Sequence, residues 1–571
     1  MTVKNKTLIV ALISLGITSA NAQTYNNLWI PDTIAGTQFN LTIKDTLKQL
    51  RTGNQTITGG INNSAFWGPT LIMNTGDTVH LNVKNNLNDT TTLHWHGMHL
   101  PAVMDGGPHQ TIPPGTIWQP YWKVTNPAST LWYHPHLHEM TLEQISKGVG
   151  GLIIVRDAQE AALALPRKYG VDDFPIVLTS RRYSATTNQF VVQNVSYGDY
   201  MLTNGTPDAQ VTLPKQMVRL RLLNMEIERG YDLGFSDNRT FYIIANDGGL
   251  LNAPVAVTKV KLLVGERIEI LVDLGADAVG TSLDLKAYNA NQAFGFPGGE
   301  PATSGQFGSL LNNVNFNVLH INVGSTTANP ITTMPTTLVN NTYWTATDAS
   351  VNRSISITNG QPNGTPFNFD NTSFNINTIN KTLNLDAIEK WTVTNNNVFG
   401  HTFHIHDVEF KIVARNGSAA NVGVHESGWK DVMYVPRNEN VSFVAKFNDY
   451  ADALHPFMYH CHFSNHEDDG MMGQFVVVGN QSTNVDEAKQ SVGFSVYPNP
   501  SSEKIFIKLE NAATEVYYVT ITNINGKTMM MLPQPEMYKG IDISALSKGI
   551  YNIQLMDKKT KSISTKTFIK E

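Results

Sequence analysis

Four short stretches of this chain concentrate imidazoles: HWH at 94–96, HPH at 134–136, HTFHIH at 401–406 and HCH at 460–462. Each contains an H-x-H pair. On a strand, residues i and i+2 face the same way, so each pair offers two imidazoles to one site. Eight histidines supplied as four pairs exceed what one zinc ion takes. Unrelated core histidines would not repeat one spacing four times. The pattern predicts a shared cluster of metal ions.

The only cysteine, Cys461, lies inside the last pair. If His460 and His462 point to one face of a strand, Cys461 points to the other and can ligate a second, separate metal. A thiolate with two imidazoles and a weak axial thioether is a blue-copper donor set, and His466, Met471 and His401 are at hand to complete it. Adjacent residues would then join a mononuclear copper to the histidine cluster, an electron path through Cys461. A lone thiol in an exported chain needs such a reason, and export is what the N-terminus predicts. Lys4 and Lys6 precede an apolar run from Leu8 to Ile17 and then Ala20-Asn21-Ala22, the order of a signal peptide over residues 1–22. That run is too short to span a bilayer, and no later stretch is long and apolar enough, so no transmembrane segment is expected.

The elements that must hold these side chains read as strands. Short alternating runs of Val, Ile, Thr and Tyr are separated by Gly, Pro, Asn and Asp clusters, which predicts an all-β chain. A short helix is expected over 158–165. GDTVHLNVKNNL (76–87), QMVRLRLLNME (216–226) and IEKWTVTNNN (388–397) form a weak repeat ending in Asn. Each is followed by a second repeated element, at 113–124, 264–274 and 435–447. With 571 residues the chain is too long for one core. Three sandwich domains are expected, at 23–160, 161–325 and 326–480. A polar linker (481–492) and a small lysine-rich β-domain (493–571) would follow, with a turn at Asn525-Gly526. The first and third copies carry the histidines and the middle one carries none. The outer two should therefore face each other across a metal cluster, with the middle as a spacer. A net charge of −6 gives no basic surface for nucleic acid.

These motifs resemble the multicopper oxidases, the family of laccases, bilirubin oxidases and copper-efflux oxidases, over about residues 24–480. The resemblance implies three consecutive cupredoxin-like Greek-key sandwiches. It implies four copper ions: a type 1 copper on His401, Cys461, His466 and axial Met471, a type 2 copper on His94 and His404, and a type 3 pair on His96, His134, His136, His406, His460 and His462. It also implies proton-handling roles for Asp105 and Glu467. Two positions depart from the family pattern: Thr402 stands where proline is usual and Asp407 where glycine is frequent. The tail (Tyr497-Pro498-Asn499-Pro500, Leu546 to Tyr551, Lys566 to Lys570) resembles the type IX secretion sorting domain. That implies an address read by secretion machinery, with transit through the periplasm to the cell surface or medium.

The implied activity is a laccase-like oxidase that takes single electrons from a small reducing substrate and gives them to O2. Phenols, aromatic amines, bilirubin and metal ions are the candidate donors. The alternatives are a cuprous or other metal-ion oxidase, a bilirubin oxidase, or a non-catalytic copper-sequestering protein. A copper nitrite reductase needs only type 1 and type 2 coppers, which the six type 3 histidines argue against. No methionine lies between Met334 and Met433, which argues against a dedicated Cu(I) oxidase. His99, His109 and His455 are expected to hydrogen-bond near the motifs, and His80, His138, His320 and His425 to take no part.

Overall fold

A computed structural model describes residues 24–301, 305–359, 366–479, 493–509, 517–523, 528–533, 539–557 and 563–571. The expected signal peptide, the linker and the Asn525-Gly526 turn lie outside the described residues. The chain divides into two compact units, 1–480 and 481–571. The architecture is all-β, as the alternation predicts.

In the first unit the three repeated elements are strands Thr78–Asn86, Met217–Asn224 and Ala387–Asn395. Each pairs antiparallel with its expected successor: Ile117–Trp118 and Tyr121–Lys123, Arg267–Asp273, and Asn440–Phe447. The recurring asparagine has a physical reason. Asn85, Asn224 and Asn395 are fully buried. The side-chain oxygen of each accepts the N–H two residues on, at 2.9, 3.0 and 2.9 Å. The amide of each donates to carbonyls across the corner, such as Ile112 O, Leu262 O and Val435 O. One side chain thus satisfies several buried backbone groups where the ladder ends.

Two sheets carry the histidine motifs. In one, His94–His96 is the edge strand paired with Ser129–His134, with His94 opposite His134 and Trp132 opposite His96. In the other, His401–Ile405 lies between Asp452–Cys461 and Val432–Val435, with His404 opposite His460 and Phe403 opposite Cys461. The sheet carrying Cys461 closes over a core of Trp391, Phe403, Phe410, Phe443, Tyr459 and Phe475, all within 2 % exposure. Burying one such ring contributes about 1.5–3 kcal/mol, and the two facing sheets supply three rings each, so the strands that hold the site are anchored by a shared apolar core. The middle region has its own apolar core around Leu220, Leu222, Ile243, Ile270 and Leu285.

The expected helix at 158–165 is shorter, Ala158–Ala161. Asp157 caps it by accepting the Glu160 N–H at 2.7 Å, and Pro166 disfavours helical geometry at Leu165. The second unit holds a sheet of Phe494–Tyr497, Lys504–Leu509 and Ile541–Asp542. Its other sheet is formed by Thr528–Pro533, Tyr517–Asn523, Gly549–Asp557 and Ile563–Lys570. Phe494, Ile505, Val519, Ile553 and Phe568 fill its core.

Candidate metal centre

The eight paired histidines converge. His94, His96, His134, His136, His404, His406, His460 and His462 are all at most 1 % exposed. Their nitrogens fall into overlapping groups compact enough to hold an ion: His94 with His404 and His406, His94 with His96 and His134, and His136 with His406 and His460. His462 Nε2 lies 3.1 Å from His96 Nδ1. Burial holds His136 and His460 down to about 3, against an ordinary 6.5, which keeps their imidazoles in the neutral, ligating form.

The hydrogen bonds decide which nitrogen is free. Nδ1–H of His94, His134, His404 and His460 donates to the carbonyls of Asp105, Pro135, Asp431 and Cys461, at 2.8–3.1 Å. Nε2 of these same four rings is buried without a partner. A buried polar atom left unpaired costs about 1–3 kcal/mol. Four of them aimed into one small space, with the opposite nitrogen held by a backbone oxygen, is what a multinuclear metal site requires.

On the other face of the Cys461 strand lies a second group, His401, Cys461 and His466. Cys461 Sγ is 3.7 Å from His401 Nδ1 and 3.6 Å from His466 Nδ1. Met471 is fully buried in the same core cluster as Cys461, and its carbonyl accepts the Cys461 N–H at 3.0 Å. Burial pushes the thiol well above its ordinary value. Cys461 forms no disulfide. The alternation read from HCH is realised: neighbouring side chains of one strand serve two different groups.

Both expected carboxylates lie against the histidines. Asp105 Oδ2 accepts from His406 Nδ1 at 2.7 Å, while its backbone oxygen holds His94. Glu467 lies 2.9 Å from His136 Nδ1 and 3.4 Å from His460 Nδ1, and accepts from the Thr141 hydroxyl at 2.6 Å. Burial raises the Glu467 carboxyl above its usual range. Of the other histidines, His99 lies 2.8 Å from Asp407 and 3.1 Å from Asp449, His455 lies 2.7 Å from Asp452, and His109 pairs with Gln474. Asp407 has φ 72°, a left-handed position suited to glycine that aspartate tolerates, which explains why glycine is frequent there.

Sequence reasoning missed three residues. Asp431 accepts from His96 Nε2 at 3.1 Å, and its carbonyl holds His404. Arg267, from the middle region, grips Asp431 through two bonds of 2.6 Å. The pair sits where a Cβ on Gly97 would fall, 2.7 Å from Asp431 Oδ2 and 2.8 Å from Arg267 Nη2, so the glycine after His96 makes room for it. Glu228, also from the middle region, lies 3.5 Å from His466 Nε2 and accepts from Asn465. Burial raises Glu228 to about 7. A charged Lys430-Asp431 step opening the apolar strand Val432–Val435 was the one visible signal.

Residues 44–160 and 346–481 each match a family model described as multicopper oxidase. The multicopper oxidase mco of Staphylococcus haemolyticus is 30% identical to this chain, over 73% of this chain and 83% of its own length. This chain belongs to the multicopper oxidase family. The laccase-like multi-copper oxidase CueO from Ochrobactrum sp. has a similar structure, with TM-score 0.70 and 30% identity over 79% of this chain and all of that one. McoA from the hyperthermophile Aquifex aeolicus gives TM-score 0.71 at 25% identity, over 80% of this chain and all of its own. The cell division protein FtsP of Xenorhabdus nematophila is 31% identical over 73% of this chain and 84% of its length. Membership of the multicopper oxidases implies a copper-dependent oxidoreductase with O2 and a reducing substrate. Residues 495–571 match a secretion system C-terminal sorting domain, which implies type IX secretion to the cell surface or beyond it. No helix among the described residues is long and apolar enough to cross a membrane.

Proposed function

We propose that this multicopper oxidase is a laccase-like enzyme that oxidises small aromatic donors and reduces O2 to water. One observation carries the reading. His460 and His462 join the histidine cluster while Cys461 between them turns its sulfur to within 3.7 Å of His401 and His466. His401, Cys461, His466 and Met471 would hold a type 1 copper. His94 and His404 would hold the type 2 ion, and His96, His134, His136, His406, His460 and His462 the type 3 pair. When bound, these ions supply one-electron acceptance at the cysteine and oxygen reduction at the cluster.

The chain's own residues set the rest. The cluster imidazoles are buried and prepositioned, so little reorganisation is needed when ions bind. Asp105 and Glu467 lie against the cluster histidines, where they would relay the protons that water formation consumes. His466 borders a narrow recess with Glu228, Phe307, Phe367, Phe399 and Phe463. The recess, about 10 Å³, is too small to admit a ring. An aromatic donor would therefore dock outside it and pass its electron across these aromatic walls, with Glu228 accepting the proton a phenol or aromatic amine sheds on losing that electron. That combination favours an aromatic donor over a bare metal ion.

The test is O2 uptake by copper-loaded protein with phenols, aromatic amines, bilirubin, Cu(I) and Fe(II), compared by kcat/KM. Highest values for aromatic donors support the proposal. Highest values for Cu(I) or Fe(II) would replace it with a metal-ion oxidase, and loaded protein that consumes no O2 would make it a copper-sequestering protein.

A further inference from the structure

A cleft of about 1950 Å³ lies between the first and middle regions, bordered by the end of strand Gln38–Lys48 and by strand Tyr200–Thr203. No metal-centre residue lines it. Its walls are fixed. The Trp29 N–H donates to the Thr206 hydroxyl at 3.2 Å, and the Trp29 carbonyl accepts from the Asn204 amide at 3.0 Å. In the turn over 49–54, the Gln49 amide donates to the Arg51 and Gly53 carbonyls. Asn188 of the middle region donates to the Thr52 and Asn54 carbonyls at 2.9 and 3.2 Å.

Two cations line this cleft without an acid. Lys48 Nζ sits 5.1 and 5.6 Å from the ring centres of Trp29 and Phe66. The Arg51 guanidinium sits 5.0 and 4.3 Å from those of Tyr183 and Tyr200. Neither side chain makes a hydrogen bond or ion pair among the described residues. Burial lowers Lys48 to about 8, and no carboxylate offsets that. Of the acids in the cleft, Asp199 is taken by Arg182 at 2.9 Å, while Asp32 and Asp208 are exposed to solvent. A ring attracts a cation without neutralising it, so both charges stay available to an anion. Gly205 helps keep the place open, since a Cβ there would strike Phe66 and lie 3.3 Å from Lys48 Nζ.

We propose that this cleft binds a stretch of an acidic polysaccharide, two of whose carboxylates pair with Lys48 and Arg51. The space exceeds the roughly 300–1,000 Å³ of a small-molecule site, so it suits a chain better than a single small acid. Lys48 and Arg51 are three residues apart, which keeps their main chains within about 11 Å of each other. Arg51 presents a planar fork that matches a carboxylate, and Lys48 a point charge. Asn62, Asn63 and Ser64 also line the cleft and bring neutral hydrogen-bonding groups suited to sugar hydroxyls. Two cations are few for a nucleic acid, and the chain's net charge of −6 opposes one. The site involves no copper step, so it stands or falls apart from the oxidase reading.

The experiment is a calorimetric titration of the full-length protein with hexagalacturonate, galacturonate, maltohexaose and a single-stranded hexadeoxynucleotide. The uronate hexamer should bind, and the neutral hexamer should not. Lys48→Gln and Arg51→Gln should each weaken binding of the uronate hexamer about tenfold, whereas Lys48→Arg keeps the charge and should retain it. Each variant should melt as the wild type does, so that lost binding is not lost folding. Should Lys48→Gln fail to fold, Arg51→Gln, on a turn, decides. No binding of hexagalacturonate, equal binding of maltohexaose, or wild-type binding by Arg51→Gln would overturn the inference. Equally tight binding of the galacturonate monomer would make the cleft a small-anion site, and tighter binding of the oligonucleotide a nucleic-acid groove; either result overturns it.

Discussion

The two histidine-bearing regions and the middle region build the same strand-and-asparagine corner, yet contribute opposite chemistry to the site. The outer regions supply neutral imidazoles and a thiol, whereas the middle supplies charge. Arg267 pins Asp431, which in turn orients His96 and His404. Gly265 packs its backbone so closely on His462 that a Cβ would sit 2.8 Å from the ring. Glu228 flanks His466 on the other group. A region without ligands is thus more than a spacer. Ligands need an orienting frame, and a charged group held from a separate core cannot drift with the strands it orients.

The comparison breaks first at the cysteine. Cys461→Ser should remove the blue absorption and nearly all turnover while the cluster histidines still bind copper; a variant that stays blue would show the sulfur to be misassigned. Removing the frame comes next. Arg267→Leu leaves Asp431 buried without its partner, and a thermal melt of the apo-protein should show a loss of about 3–5 kcal/mol. Asp431→Asn frees His96 and should weaken copper binding at the cluster by about 10–100-fold, measured by competition with a chelator, with the blue band retained. Glu228→Gln should lower kcat/KM for phenols by about 100-fold and change it little for a donor that carries no proton, which separates proton acceptance from general damage. The smallest effect is expected from deleting residues 481–571, which should leave O2 uptake by the purified protein unchanged.

These predictions differ in how far the sequence announced them. The H-x-H pairs were legible because a strand has a period of two, so spacing alone states which side chains share a face. His466 was legible beside Cys461 because its offset from the cysteine is short and local. The repeat was legible because Asn85, Asn224 and Asn395 solve the same corner problem. Arg267 and Asp431 were not, being 164 residues apart and joined only by the packing of two cores. Glu228 was hidden for the same reason. It lies 238 residues before His466 and reads there as one acid in an ordinary loop. The helix at 158–165 was overextended because its apolar pattern runs on to Leu165, four residues beyond the last helical residue, Ala161.

The account stands on one strand serving two metal groups. The most direct test is metal analysis with EPR of the copper-loaded protein. Four copper ions per chain are predicted, one with the narrow hyperfine splitting of a thiolate-bound ion, one ordinary, and two coupled and silent. A single ion per chain, or no thiolate-type signal, would contradict it.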